Sequence, residues 1–239
     1  MYIYGKNVCR EKLNTDDNIN KVYLSKNFSD KDIINKINNK GIKINYVDKS
    51  MLDRKVDGLH QGIVMEVDEI KIYSLDEVLN NIKDKINPLI VMLDHLEDPH
   101  NFGAIIRTCE ALGTDAIIIP SDRSVKVNST VIKTSVGSIN YMKIIRVANL
   151  GVAIKKLKEN NFWIVGTDMM GEDYSKIDYN IPICLIIGNE GKGMSNVIHK
   201  NCDFIATIPM SGQINSLNAS VSCGIVLSEI ILSRRRNGL

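Results

Sequence analysis

The chain has 239 residues, of which 44% are hydrophobic, and its formal net charge is +2. This length suits one large domain or two modest ones, and the near-neutral charge is not that of a strongly basic nucleic-acid-binding protein. The five cysteines are odd in number and lack C-x-x-C spacing, which argues against a disulfide framework or a zinc knuckle. No apolar run is long enough to span a membrane, and the first residues do not form a secretory signal. We therefore expect a cytoplasmic protein with reduced cysteines and no membrane association.

Residues 1–69 are predicted to form a small α/β domain. Alternating apolar residues predict strands at 21–24, 42–47 and 62–67, and helical spacing predicts helices at 4–13 and from a Ser29 or Asp30 cap to residue 39. The sequence Leu59-His60-Gln61-Gly62 precedes the last of these strands. A lone histidine in such a turn is more often structural than catalytic, so we interpret His60 as structural.

The remainder of the chain is predicted to contain a short linker and a larger domain. Residues 70–86 are interpreted as a linker that carries a short helix at 75–82. Within residues 87–239, strands are predicted at 89–93, 116–119, 141–147, 162–166, 183–187 and 204–208, with helices at 101–112, 128–136, 150–160 and near the C-terminal end. Continuous apolar strands separated by helices indicate a parallel sheet that is covered on both faces. The three arginines at 234–236 are interpreted as a solvated helix end that complements the helix dipole.

Three polar, glycine-bearing loops each follow a predicted strand, at residues 98–108, 188–194 and 208–222. In α/β proteins, loops at the carboxyl ends of parallel strands form ligand sites. The second loop, Gly188-Asn189-Glu190-Gly191-Lys192-Gly193, has neither G-x-G-x-x-G nor G-x-x-x-x-G-K-[ST] spacing. Both standard nucleotide-phosphate fingerprints therefore fail, although the glycines still allow a backbone to approach a ligand closely.

Several polar side chains in these loops have both a structural and a functional interpretation. Arg107 lies among apolar residues, so its guanidinium forms a buried ion pair or reaches an RNA phosphate, whose oxygens it matches as a donor. Glu190 is a surface residue or a functional carboxylate in its glycine loop. Ser216 and Asn218 precede a long apolar helix, where such residues often act as caps.

Together, in this order and at this spacing, the three loops resemble the signature motifs of the SpoU family of S-adenosyl-L-methionine-dependent RNA ribose 2′-O-methyltransferases, in the SPOUT superfamily. Within the family, the resemblance is greatest to enzymes that methylate a guanosine of 23S ribosomal RNA. It implies that residues 1–69 form an RNA-binding domain similar to a ribosomal protein. It also implies that residues 87–239 form a parallel-sheet SPOUT domain with a trefoil knot, and that the protein is a homodimer.

The resemblance also implies roles for particular residues. The positions that match the family's catalytic residues are Asn101, Arg107, Glu190, Ser216 and Asn218. Those that match its S-adenosylmethionine-binding residues are Gly188, Ile208 and Leu217, with Thr167 nearby. No metal is implied. Arg107 either takes the proton of the ribose hydroxyl or holds the neighbouring phosphate, and the first role would require an arginine to lose its own proton.

Alternative functions remain open at this stage. Ribosomal RNA is the expected substrate and tRNA is the alternative. A catalytically silent RNA-binding homologue is a second possibility, which the intact motif residues argue against. A Rossmann-type enzyme is a third, which the missing phosphate fingerprint argues against.

Overall fold

A computed structural model of the chain describes residues 1–15, 19–213 and 216–238. The strands are β1 Tyr2–Tyr4, β2 Ile19–Ser25, β3 Ile44–Val47, β4 Ile63–Val67, β5 Ile72–Tyr73, β6 Leu89–Leu93, β7 Ala116–Pro120, β8 Ile144–Val147, β9 Trp163–Asp173, β10 Ile183–Ile187 and β11 Phe204–Thr207. The α-helices are α1 Lys6–Leu13, α2 Lys31–Asn39, α3 Lys49–Lys55, α4 Leu75–Ile82, α5 Pro99–Ala111, α6 Ser129–Thr134, α7 Leu150–Glu159, α8 Asn196–His199 and α9 Ala219–Arg236.

The first of two compact units contains residues 1–70 and 127–141. Its sheet has the strand order β1-β4-β2-β3, in which only β2 and β3 run parallel. Asp30 caps α2 by accepting a hydrogen bond from the Ile33 amide, as the sequence predicts for this position. His60 is buried: its Nδ1 accepts from the Gly62 amide at 2.9 Å and its Nε2 lies 2.9 Å from Asp53 Oδ1. These contacts give His60 the structural role that was expected.

The second unit contains residues 71–126 and 142–239. Its seven-stranded sheet has the order β11-β9-β10-β6-β7-β8-β5, and every neighbouring pair is parallel. All residues of β6 and β10 are buried, because helices cover both faces of the central strands. This confirms the α/β fold with a parallel C-terminal sheet. The trefoil knot that the family resemblance implies stays a prediction.

Two segments differ from the predicted domain organisation. Residues 70–86 were interpreted as a linker, but β5 pairs with β8 and α4 buries Leu75, Val78 and Leu79 in the core of the second unit. The helix predicted at 128–136 was placed in the larger domain, whereas α6 packs on β1 of the first unit. Helical spacing shows that a face is apolar, but it does not show which sheet that face covers.

Other differences concern short or extended elements. The strands β1 and β5 and the helices α3 and α8 were not predicted, because each is short and lacks a full period of apolar residues. Strand β9 continues past residue 166 to Asp173, and its last two residues, Glu172 and Asp173, pair with Ala206 and Thr207 of β11. Pairing of this kind depends on a distant strand, so the local sequence does not show it.

Arg234 corrects the interpretation of residues 234–236 as a solvated helix end. It is buried, and its guanidinium donates to the carbonyl oxygens of Asn87 at 2.7 Å, Ile181 at 2.8 Å and Tyr179 at 2.9 Å. Arg235 is exposed, and Arg236 bonds to Glu229. Only one of the three similar arginines therefore anchors the end of α9 to the second unit. Burial lowers the pKa of Arg234.

The cysteines are free thiols, and four of the five are buried. Burial raises the pKa of Cys202, the remaining one, to about 12. This environment agrees with the interpretation of the cysteines as reduced core residues. No helix in the described part of the chain has the length and apolarity to cross a membrane.

Candidate active site

The three polar, glycine-bearing loops leave the sheet at the carboxyl ends of strands that lie close together. Strands β11, β9, β10 and β6 are consecutive in the sheet, and Ile187 at the end of β10 pairs with Leu93 at the end of β6. The loop after β6 leads into α5, the loop after β10 leads to α8, and the loop after β11 leads into α9. The topology thus brings the three sequence motifs to one edge of the sheet, where α/β proteins bind ligands.

Side-chain hydrogen bonds connect the three loops. Asn101, near the start of α5, donates from its Nδ2 to Oε1 of Glu190 in the glycine loop. Asn218, before α9, donates from its Nδ2 to Oδ1 of Asn101 at 3.0 Å. The donated hydrogen bonds therefore run in one direction, from Asn218 in the third motif to Asn101 in the first, and from Asn101 to Glu190 in the second. Glu190 and Asn218 are exposed, so this polar cluster is accessible to a ligand.

Asn218 also caps α9, as its position before a long apolar helix predicts. Its Oδ1 accepts from the Ser220 amide at 2.9 Å, the Val221 amide at 3.4 Å and the Ser220 hydroxyl at 2.6 Å. The side-chain oxygen therefore fixes the start of the helix while the nitrogen contacts Asn101. Capping and assembly of the site are two tasks of one amide group.

Helices α5 and α9 pack against each other and thereby hold the first and third motifs together. Their buried contact includes the thiols of Cys109 and Cys223. A hydrogen bond with Cys109, together with burial, raises the pKa of Cys223 well above its usual range. The packing between α5 and α9 is thus uncharged here. It holds together the two helix starts that carry Asn101 and Asn218.

Arg107 lies on the exposed side of α5. No ion pair joins it to any residue in the described ranges, so the buried ion pair considered from the sequence is not formed. Neither Asn101 nor Glu190 bonds to it; these two side chains bond to each other. An exposed guanidinium is able to bind an anionic group from solution.

The remaining predicted site residues lie along the same edge. Gly188 begins the glycine loop, Ile208 follows β11, and Leu217 and Ser216 are exposed immediately before Asn218. Thr167 lies in β9 and donates its hydroxyl proton to the Ile186 carbonyl oxygen at 3.0 Å. Residues 214 and 215 of the third motif lie outside the described residues.

The backbone at three of these positions is suited to bind a ligand. The N–H and C=O groups of Gly188, Ile208 and Leu217 form no hydrogen bond with another residue of the described ranges. Main-chain polar groups require partners, so these groups can receive a polar ligand such as an amino acid or a nucleoside. Gly188 itself is required for packing, because a Cβ there would lie 2.5 Å from the Gly193 carbonyl carbon.

Three residues that sequence reasoning did not select also shape the site. Asp94 and His95 follow β6, and both contact the glycine loop. Asn189 accepts from the amides of Gly191 and Lys192 with its Oδ1, which forms the turn that presents Glu190. The available signal was an aspartate directly after a continuous apolar strand, since a carboxylate there requires hydrogen-bond donors.

A parallel sheet with three polar loops joined at neighbouring strand ends defines an α/β protein with a ligand site at the sheet edge. Residues 88–228 match the SpoU rRNA methylase family, and residues 2–73 match a domain described as RNA 2′-O ribose methyltransferase substrate binding. The chain belongs to the SpoU family of RNA methyltransferases, within the SPOUT class.

Individual relatives are similar over nearly the whole chain. A Bacillus subtilis protein, YacO, assigned to the TrmH family of tRNA/rRNA methyltransferases, is 39% identical over 99% of this chain and 96% of its own length. The AdoMet-bound rRNA methyltransferase from Sinorhizobium meliloti has a TM-score of 0.80 and 26% identity, covering 100% of this chain and 87% of that one. AviRb from Streptomyces viridochromogenes, in complex with AdoMet, shares the fold with a TM-score of 0.84 and 23% identity, covering 99% and 91%.

Proposed function

We propose that this protein transfers a methyl group from S-adenosyl-L-methionine to a ribose 2′-hydroxyl of structured RNA, with a guanosine of 23S ribosomal RNA as the expected substrate. The observation that carries the proposal is the hydrogen-bonded cluster of Asn101, Glu190 and Asn218, together with the exposed Arg107 on the helix that carries Asn101. These are four of the five positions that match the family's catalytic residues. The fifth, Ser216, lies two residues before Asn218.

The methyl donor is proposed to bind along the glycine loop and the loop before α9. The backbone groups of Gly188, Ile208 and Leu217 would hold its polar parts, with Thr167 nearby. When bound, S-adenosylmethionine supplies an electrophilic methyl on a sulfonium. Relatives that contain AdoMet support this choice, since one of them is 26% identical over the full chain.

Arg107 is proposed to hold the RNA phosphate next to the target ribose. Guanidinium groups remain cationic in proteins, so a phosphate clamp requires no change of protonation. The planar guanidinium offers two parallel donors to two phosphate oxygens, which fixes the orientation of the nucleotide as well as its position. A phosphate oxygen can then accept the proton of the 2′-hydroxyl as the hydroxyl oxygen attacks the methyl carbon; the bond between sulfur and methyl would break, and S-adenosylhomocysteine would leave as a neutral thioether.

The cluster of Asn101, Glu190 and Asn218 is proposed to keep the loops in register around the reacting groups. Each member is held by another, so the cluster limits how far the three loops can move apart. Ser216, exposed beside this cluster, offers a hydroxyl to the RNA. Fixed positions of this kind raise the rate because they supply the orientation that two free reactants lack.

The first unit is proposed to bind the RNA. Its match at residues 2–73 to a substrate-binding domain supports this task, and the proposed RNA-binding domain is residues 1–69. Photo-crosslinking of bound RNA followed by peptide mass spectrometry tests it. Crosslinks are expected within residues 1–69 as well as near Arg107, and their absence from 1–69 would remove the RNA-binding role.

A homodimer is proposed on the basis of the family resemblance. Apolar side chains on α9 support it: Val221 is 48% exposed and Leu232 is 45% exposed. Exposed apolar residues at such positions are suited to an interface. Light scattering at assay concentrations should give twice the monomer mass, and an active monomer would contradict the proposal.

Mapping of 2′-O-methyl groups in total RNA from cells with and without this protein tests the substrate. The proposal predicts that one ribosomal RNA guanosine loses its methyl group in the deleted strain. Loss at a tRNA position would instead support the tRNA alternative. Unchanged ribose methylation in both RNAs would support the catalytically silent homologue.

A further inference from the structure

Asp94 and His95, the two residues that directly follow β6, form hydrogen bonds to the two ends of the glycine loop. At the start of the loop, Asn189 donates from its Nδ2 to the His95 carbonyl oxygen at 2.8 Å. At the end of the loop, the Ser195 amide donates to Oδ2 of Asp94 at 2.7 Å. Glu190 lies between these two attachments. A movement of the turn at 94–95 would therefore change the position of Glu190.

The Asp94 carboxylate is costly to bury, and its contacts are specific. Asp94 is 1% exposed. Its Oδ1 lies 2.5 Å from His95 Nδ1, its Oδ2 binds the Ser195 amide, and its own amide donates to the Ile187 carbonyl oxygen at 2.9 Å. A buried carboxylate requires such donors, because an unsatisfied one would be strongly unfavourable. The loop is thus held to β6 by a bond that water cannot readily replace.

His95 has a backbone conformation that makes the second attachment possible. Its φ is +60°, in the left-handed region that residues other than glycine adopt infrequently, although histidine, like asparagine and aspartate, enters it more often than most. The residue turns the chain out of β6 so that its carbonyl meets Asn189 and its imidazole meets Asp94. Backbone strain held by surrounding contacts is frequent where a site has to be fixed.

We propose that Asp94 and His95 are positioning residues for methyl transfer, acting through the glycine loop and Glu190 on Asn101. In its consequence for catalysis, this inference rests on the proposed function. In its consequence for the loop, it does not. In this proposal Asp94 and His95 contact neither RNA nor the methyl donor. Their effect is therefore measured through the glycine loop to which they bond.

Asp115 provides a matched control at the opposite end of β6. Its Oδ2 accepts from the Leu89 amide at 2.8 Å and its Oδ1 pairs with Lys85 at 2.6 Å. Asp94 and Asp115 therefore have the same pattern of contacts. In each, one carboxylate oxygen accepts from a backbone amide and the other lies next to a basic side chain, His95 or Lys85. Only Asp94 contacts the glycine loop.

The first experiment measures the loop in the full chain without RNA. Hydrogen exchange at the Gly193 amide, which donates to the Asn189 carbonyl oxygen, and tryptic cleavage after the exposed Lys192 report its opening. Asp94→Asn replaces the charged acceptor of this bond with a neutral amide, and Ser195→Pro removes its donor; the Ser195 φ of −64° already suits proline. Both variants are expected to speed cleavage after Lys192 roughly tenfold, whereas Asp115→Asn leaves it unchanged.

The second experiment compares the kinetics of single and double variants. At saturating donor and RNA, Asp94→Asn is expected to lower the single-turnover rate about tenfold or more, as for other losses of positioning. If Asp94 acts through Glu190, Asp94→Asn combined with Glu190→Gln is no slower than the slower single variant. His95→Gly loses the imidazole contact with Asp94 but keeps the left-handed backbone and its carbonyl contact with Asn189, so it should be less impaired than His95→Val, which loses both.

The outcomes separate the two claims. Unchanged loop exchange and cleavage in both Asp94→Asn and Ser195→Pro would overturn the positioning role, whatever the enzyme does. Multiplicative rate losses in the double variant would overturn the path through Glu190. An opened loop in a protein whose wild type methylates no RNA would leave the loop attachment standing and remove the proposed function.

Discussion

Asn218 donates a hydrogen bond from its Nδ2 to Oδ1 of Asn101 at 3.0 Å, and so joins two side chains that lie 117 positions apart in the sequence. The same Asn218 side chain caps α9, and the same Asn101 side chain bonds to Glu190. The start of one helix, the start of another and the glycine loop therefore depend on two amide groups. The stability of α9 and the geometry of the site are coupled at this point.

Two substitutions at Asn218 should separate capping from assembly of the site. Asn218→Asp keeps an acceptor for the α9 amides, so we expect stability close to that of the wild type. It also places a carboxylate oxygen against the Asn101 oxygen, and methyl transfer should fall about tenfold or more. Asn218→Ala should lose both the cap, at about 1 kcal/mol, and activity. Equal activity in Asn218→Asp and wild type would remove the Asn101 contact from the account. Thermal unfolding and single-turnover rates measure the two effects.

Substitution of Arg107 should affect transfer but not donor binding. Arg107→Lys retains the charge and loses the planar pair of donors, and Arg107→Ala loses both. Each is expected to lower the transfer rate roughly a hundredfold or more. Affinity for S-adenosylmethionine, measured by calorimetry, should hardly change, because its proposed site lies in the other two loops.

Arg146→Ala is the control for Arg107, since Arg146 is also exposed but lies on β8, away from the motif loops. It should transfer methyl groups at the wild-type rate. If donor affinity collapsed in Arg107→Ala, Arg107 would belong to the donor site rather than to the RNA site.

Arg234 should contribute far more to stability than its neighbour Arg235. Arg234→Met would leave one buried and two partly buried carbonyl groups without their donor, and hydrogen bonds to charged groups contribute about 1.5–3 kcal/mol each. We expect a loss of roughly 3 kcal/mol or more in the free energy of unfolding. Arg235→Met, at an exposed position, should change it by about 0.5 kcal/mol or less. Urea titration of both variants compares them directly, and equal stabilities would refute the anchoring role.

The thiols should be unreactive in the folded protein. Four cysteines are buried, and the pKa of Cys202 is raised to about 12. A thiolate-specific reagent at pH 8 should label almost none of them, since the thiolate fraction at Cys202 is then about one in ten thousand. After unfolding in denaturant all five should react. Rapid labelling of the native protein would contradict the described packing.

The sequence predicted those parts of the fold that local patterns determine. Asp30 before an apolar helix period predicted the cap of α2, and the apolar run at 89–93 predicted the buried strand β6. The three motif loops were expected to meet because parallel strands end at the same sheet edge. Their meeting at Asn101 and Glu190 follows from the order of β10 and β6 in the sheet.

What the sequence could not predict depends on tertiary neighbours. Arg234, Arg235 and Arg236 are chemically alike, and only packing at the end of α9 selects Arg234 for burial. The amphipathic pattern of α6 does not identify β1 as its partner. Asp94 and His95 carry no motif of their own, and their importance becomes visible only when the glycine loop folds back on them.

The most direct test of the account is to identify the methylated atom in vitro. RNA is incubated with the enzyme and S-adenosylmethionine labelled in its methyl group, digested completely to nucleosides and separated by chromatography. We predict that the label comigrates with a 2′-O-methylnucleoside, 2′-O-methylguanosine for the expected 23S substrate, and that Arg107→Ala produces roughly a hundredfold less of it. Label in a methylated base, or transfer by Arg107→Ala at the wild-type rate, would contradict the account.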